Sequence, residues 1–289
     1  MNKRHRSAFT LIEMSVAAGI IATLGVVGYY FLNSGTLLYA KNVSINYSNM
    51  ATRGALDRIY DELVEANATP TLINADGTTA ASSTGPAAGI IFDKLIGTPY
   101  VMVSSTGLGA STTSFQMKRG TDALASPPIP VQNDVVLIDD ADLRPRVSTC
   151  SAGAVSGGLQ TLTVTLQSAL GTAQTWSSTD IKRAQLIRKV AFTVASNSGK
   201  NELRYYPGVE GIANYSTASN YIVLNTDIGT LSGENTPFSL VTQNSKTFLS
   251  IGLRVENQQY DNNLANKQRL DFNSFTRIDT MVRPRNAFF

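Results

Sequence analysis

The chain holds one cysteine, Cys150, and one histidine, His5. No intrachain disulfide can form. A histidine-based triad, a Cys–His dyad, a zinc finger and a multi-histidine metal site each need partners that are missing here. Proline is absent before Pro70, so nothing of that kind interrupts a helix over the first 69 residues. Charge is also scarce, at 16% of residues against 43% hydrophobic. The 24 basic residues exceed the 21 acidic ones by no more than Lys3, Arg4 and Arg6. The rest of the chain is neutral, which argues against a surface built for nonspecific nucleic-acid binding.

What is present begins with a short basic head, MNKRHRSA, followed by an apolar run from Phe9 to Leu32. Met14 to Leu32 carries no charge. As a helix that stretch is about 28 Å long, close to the ~30 Å hydrocarbon thickness of a bilayer. A transmembrane segment over about 14–32 is expected, with the basic head cytoplasmic and the bulk of the chain outside. A cleaved secretory signal has a shorter apolar core and a small-x-small site after it. Neither feature is found. A plain signal anchor accounts for the length but not for Glu13, whose carboxylate in an apolar helix costs about 2.5–3.5 kcal/mol unless it is paired.

The string SAFTLIEMSVAAGIIATLG resembles the class III leader and helix start of type IV pilins and type II secretion pseudopilins. The resemblance implies that a prepilin peptidase removes residues 1–8 by cutting between Ala8 and Phe9, and methylates the new Phe9 amine. Glu13 becomes the fifth residue of the mature chain. The family usually has glycine where Ala8 stands. In the family, the buried carboxylate at the position of Glu13 meets the terminal amine of a neighbouring subunit and sets the register of assembly, because either charge alone in an apolar core is costly.

Beyond the apolar run, Leu37, Leu38, Val43, Tyr47, Met50, Leu56, Ile59, Leu63 and Val64 recur at spacings near three and four. That period predicts one helix over about 9–66, some 87 Å long, with its second half laid on a core. Residues 67–89 are small and polar with two prolines and read as a loop or linker, with a turn at Asn74–Gly77. Helical periodicity then gives way to short β-prone runs: 90–96, 100–104, 114–118, 135–139, 143–148, 159–167, 184–195, 202–206, 221–225, 238–242, 248–256 and 275–282. Thr161 to Gln167 alternates strictly, so one face of that strand is buried. The fold class is α+β: a long N-terminal helix packed on an antiparallel β head spanning 90–289. Segments KVAFTVASNSGKNELRYY and FTRIDTMVRPRN resemble larger minor pilins and J-type pseudopilins, which implies a head of two sheets.

Other candidates carry less. Asp139, Asp140 and Asp142 form the densest acidic cluster and offer oxygen ligands for calcium, although Arg144 and Arg146 stand beside them as counter-charges. No other cofactor is implied. Gly107–Gly109 and Gly153–Gly158 lack the Lys-Ser/Thr of a phosphate loop. Cys150 reads as a half-buried filler. Trp176, Tyr205, Tyr206, Tyr215, Tyr221 and Tyr260 serve either sheet packing or a sugar- or protein-binding face. Lys182, Arg183, Arg188 and Lys189 could contact phosphate, but they also suit an edge strand guarded against pairing.

The resemblance implies a structural, non-enzymatic minor subunit, at the tip or initiating, of a type IV pilus or type II secretion pseudopilus. Its partners would be the prepilin peptidase, other pilin or pseudopilin subunits, an inner-membrane assembly platform and the lipid bilayer. It would sit as a single-pass protein in the bacterial inner membrane, its head in the periplasm or at the cell surface, and later in the filament. A large head and the lack of a C-terminal disulfide favour a low-abundance subunit. The rivals are a membrane-anchored exported adhesin, a DNA-binding pilin-like protein, and an anchored hydrolase working without histidine.

Overall fold

The computed structural model describes residues 10–103, 107–121, 127–138, 144–177, 181–209, 212, 214–215, 217–229, 236–244, 246–256 and 275–282, the backbone alone at 44, 227 and 275–282. One helix, α1 (Leu11–Val64), runs for 54 residues, about 81 Å. Among the described residues fourteen strands follow: β1 (Thr71–Ile73), β2 (Gly89–Met102), β3 (Gly107–Leu108), β4 (Ser114–Gly120), β5 (Val135–Ile138), β6 (Val147–Ser156) and β7 (Leu159–Leu166) in the first part of the chain, then β8 (Gln174–Thr175), β9 (Arg183–Asn197), β10 (Lys200–Tyr206), β11 (Ile222–Ile228), β12 (Phe238–Gln243), β13 (Lys246–Glu256) and β14 (Phe275–Val282). Every pairing between them is antiparallel. The class is α+β.

Twelve strands join in one sheet, in the order β12-β13-β11-β10-β9-β2-β4-β7-β6, with β1 on β2, β14 on β13 and β5 on β9. Among the described residues only β3 and β8 pair apart. The expected two sheets are therefore hydrogen-bonded into one among the described residues, because β2 and β9 are long enough to pass through both halves. They pair from Gly89↔Thr193 to Val101↔Arg183. The free side of β9 is taken by β5 at 184–187 and by β10 at 191–197. The free side of β2 is taken by β1 at 89–91 and by β4 at 101–102.

The second half closes on itself. Val135 bridges Arg146, Val136 N–H donates to Pro145 O at 3.0 Å, Val147 N–H to Asp134 O at 2.8 Å, and Asn133 N–H to Val147 O at 2.8 Å. The ring β9-β2-β4-β7-β6-β5 is thus a small antiparallel barrel, filled by side chains as barrels of this size are. Met117, Leu162, Val164, Val136 and Leu186 are buried in its core with Tyr100. Where β2 enters the barrel its register shifts between Ile96 and Tyr100. Gly97 takes φ +68 there, and a Cβ would meet Pro128 Cδ at 2.9 Å, so both backbone and space call for glycine.

The first half has a separate core. Ala55, Ile59 and Leu63 of α1 share one buried cluster with Ile90, Phe92, Phe192, Tyr205 and Leu253. Alternation along β9 and β10 sends Ala191 and Tyr206 to the other face, into a third cluster with Ile73, Val209 and Tyr215. On α1 the buried positions are Ser48, Thr52, Ala55, Ile59, Glu62 and Leu63, whereas Tyr47 and Met50 are 76% and 74% exposed. The sequence pattern had merged two faces. Tyr39, Val43, Tyr47 and Met50 form their own stripe at helical spacing, while small Ser48 and Thr52 occupy the inner one. Thr52 satisfies its hydroxyl on Ser48 O at 2.7 Å.

The stretch expected as a linker is fastened. Ala66 bridges Lys94, Asn67 N–H donates to Asp93 O at 2.8 Å, and Leu95 N–H to Glu65 O at 2.9 Å. β1 then pairs with β2, because Leu72 and Ile73 bury their side chains. The expected turn is present, with Gly77 N–H donating to Asn74 O at 3.0 Å.

Candidate functional site

Ala8 and Phe9 lie outside the described residues, and the helix is first seen at Thr10. Thr10 has φ −75 and ψ 151, an extended N-cap. Its Oγ1 accepts from Glu13 N–H at 3.3 Å. The Glu13 carboxylate reaches back to Thr10 N–H at 2.9 Å and to Thr10 Oγ1–H at 3.1 Å. This is a capping box, in which two helix-end donors are satisfied reciprocally. It places the carboxylate on Thr10, at the positive end of the helix dipole. Reading from the sequence missed the role of Thr10, although T-L-I-E is the capping-box pattern.

The helix that follows is long and apolar enough to cross a membrane, and none of its most apolar window is buried against the rest of the chain. Ile12, Ile20, Leu24, Tyr30 and Phe31 are all exposed. Hydroxyls within it are internally satisfied: Ser15 on Leu11 O at 2.9 Å, Thr23 on Gly19 O at 2.8 Å and Ser34 on Tyr30 O at 2.7 Å. Gly19, Gly25, Gly28 and Gly35 have nothing near the place of a Cβ, so neighbouring groups of this chain give no reason for them.

At the other end of α1, charges gather between the two cores. Glu62, with its side chain 3% exposed, accepts from Arg58 at 2.6 Å and from Lys94 at 2.7 Å. Lys94 also reaches Glu65 at 2.9 Å. The Arg58 guanidinium lies over the Tyr205 ring, 4.9 Å from its centroid. Lys94 stands opposite Arg188 in the β2–β9 register, and Arg188 makes a bidentate pair with buried Asp134 at 2.7 and 2.8 Å. The belt thus contains three cations and three carboxylates. Burial pushes the Tyr100 and Tyr205 hydroxyls well above their usual range, so both stay neutral donors beside it. Partners 32 and 54 residues apart left no local signal in the sequence.

The remaining candidates are placed as follows. Asp139, Asp140, Asp142 and Tyr260 lie outside the described residues. Arg188 of the basic group is committed to Asp134, while Arg183 is exposed at the start of β9. Tyr205, Tyr206 and Tyr215 are buried, and Trp176 packs on the barrel core. Tyr221 lies under the Arg204 guanidinium at 4.3 Å. Cys150 is half-buried against the barrel core, and burial pushes its thiol pKa up. Gly157 and Gly158, at φ +58 and +75, make the β6–β7 hairpin turn.

Comparison with protein-family models, with curated proteins and with solved structures finds no match to this chain.

Proposed function

We propose that this chain is a pilin-like structural subunit, a minor tip or initiating member of a type IV pilus or type II secretion pseudopilus. The observation that carries the reading is at the helix start: the apolar first part of α1 is not buried against the rest of the chain, and its carboxylate, Glu13, is folded back onto Thr10 N–H. The basic head holds the start of the chain on the cytoplasmic side until a peptidase cuts between Ala8 and Phe9. The helix is stored in the inner membrane and later exchanges lipid for the helices of neighbouring subunits. The second half of the helix lies on the β head as its fixed attachment, a reading supported by the cluster that Ile59 and Leu63 share with the strands.

In the stored state the capping box gives Glu13 a partial partner within its own helix. In the assembled state the Phe9 ammonium of a neighbour replaces it, which stabilises the carboxylate further. Glu13→Leu removes an apolar-core charge and should insert into membranes at least as well as the parent chain. It should fail to enter filaments formed by wild-type partners, as read by immunoblotting of the sheared filament fraction. Normal incorporation of Glu13→Leu would refute the role.

A further inference from the structure

The outer edge of β9 is interrupted between the two halves of the sheet. β5 leaves it at Ile187 and β10 takes it up at Ala191. The interruption opens a cleft of about 270 Å³ walled by Gln132, Asp134, Arg188, Asn220 and the 207–208 turn, with Val131 at its rim. Asp134 is buried, and its Oδ2 also accepts from Val131 N–H at 2.9 Å, so the carboxylate is fixed by the backbone before it meets the arginine.

Asp134 holds Arg188 by one edge only. Nε donates to Oδ1 at 2.7 Å and Nη2 to Oδ2 at 2.8 Å. The guanidinium is planar, so Nη1 and the second N–H of Nη2 lie on the edge turned away from Asp134. Among the described residues that edge has no hydrogen-bond partner. The group cannot swing away without breaking two charge-assisted bonds. It is therefore a pre-oriented fork at the wall of a cleft, and a fork of two parallel N–H groups matches the two oxygens of a carboxylate. The Gln132 and Asn220 side chains on the same cleft supply further amide donors, and Val131 and Pro207 supply apolar walls for a short aliphatic group.

We propose that this cleft is a recognition site for a carboxylate group, gripped end-on by Arg188. The charge of Arg188 is already balanced by Asp134, so recognition rests on bond geometry more than on net attraction. Two sources present this chemistry, the C-terminus of a polypeptide and a small free acid. The site does not depend on the assembly reading.

The test uses the full chain in detergent micelles with 15N-labelled arginine, the Arg188 side-chain signals being assigned by their loss in Arg188→Lys. Acetate, N-acetyl-trialanine with a free carboxylate, and the same peptide amidated are titrated in turn. Both carboxylates should shift the Arg188 signals and the amide should not. Tighter binding of the free-acid peptide than of acetate assigns the site to chain termini; equal binding assigns it to small acids. The Gln132→Ala/Asn220→Ala double variant leaves the Arg188–Asp134 pair intact and should weaken binding about tenfold. It also serves as the test if Arg188→Lys does not fold. An equal shift with the amidated peptide, no shift with either carboxylate, or undiminished affinity in the double variant overturns the proposal.

Discussion

Phe192→Ala is expected to destabilise the head by about 3–5 kcal/mol, the range for removing a fully buried aromatic ring. The ring is 0% exposed and lies 4.9 Å from the Tyr205 centroid and 6.3 Å from that of Phe92. It sits at the middle of β9, in the cluster that contains Ile59 and Leu63 of α1. A cavity there has few ways to collapse, since β9 is flanked by a strand on each side at this position, with Ile90 and Tyr205 standing opposite Phe192. The check is urea unfolding of the detergent-solubilised chain. Tyr39→Ala, on the outward stripe of the same helix, is the control and should change stability by under about 0.5 kcal/mol. Because Phe192 and Ile59 share one cluster, combining Phe192→Ala with Ile59→Ala should be non-additive.

The second large effect concerns the charge belt. Glu62 has two cationic partners, so losing either leaves it paired. Losing both strands a carboxylate that is 3% exposed. Arg58→Met/Lys94→Met is expected to cost about 3–5 kcal/mol, as breaking a buried pair does, and clearly more than the two single variants together. Strict additivity in that cycle would show that Glu62 is solvated in solution. The belt also gives stability a pH dependence. Burial works to lower the Lys94 pKa, but Glu62 and Glu65 outweigh it, so the folded value lies above the ordinary 10.5. A raised cation stabilises the fold fully below the unfolded value, and that contribution fades as pH climbs through the folded one. Stability of the parent chain should therefore fall above about pH 10.5, and Lys94→Met should lack that part of the fall.

Local patterns carried much of this fold. The strand expected at 275–282 is β14 with the same bounds, and the alternating run from Thr161 is β7, with Leu162, Val164 and Leu166 buried. The uncharged run after Glu13 and the lack of proline before Pro70 mark the long helix in the sequence itself. What stayed hidden was non-local. The barrel closes through backbone bonds between 133–136 and 145–147, which no side-chain pattern announces. β1 is three residues within a small polar segment, too short for period-two alternation to register. The helix face was misread because burial there falls on the small polar Ser48 and Thr52 while Tyr47 and Met50 face outward, so hydrophobicity did not mark the inner face. At the helix start the motif was legible but incomplete: Glu13 was singled out for its cost in an apolar segment, and its reciprocal bond with Thr10 came only from the geometry.

The proposed assembly role depends on a new amino terminus forming next to the Glu13 carboxylate. Intact-mass measurement of the chain extracted from membranes tests this directly. The account predicts a species that lacks residues 1–8, begins at Phe9 and carries a single added methyl group on that amine. A stable, full-length chain that still begins at Met1 in assembled filaments would contradict it.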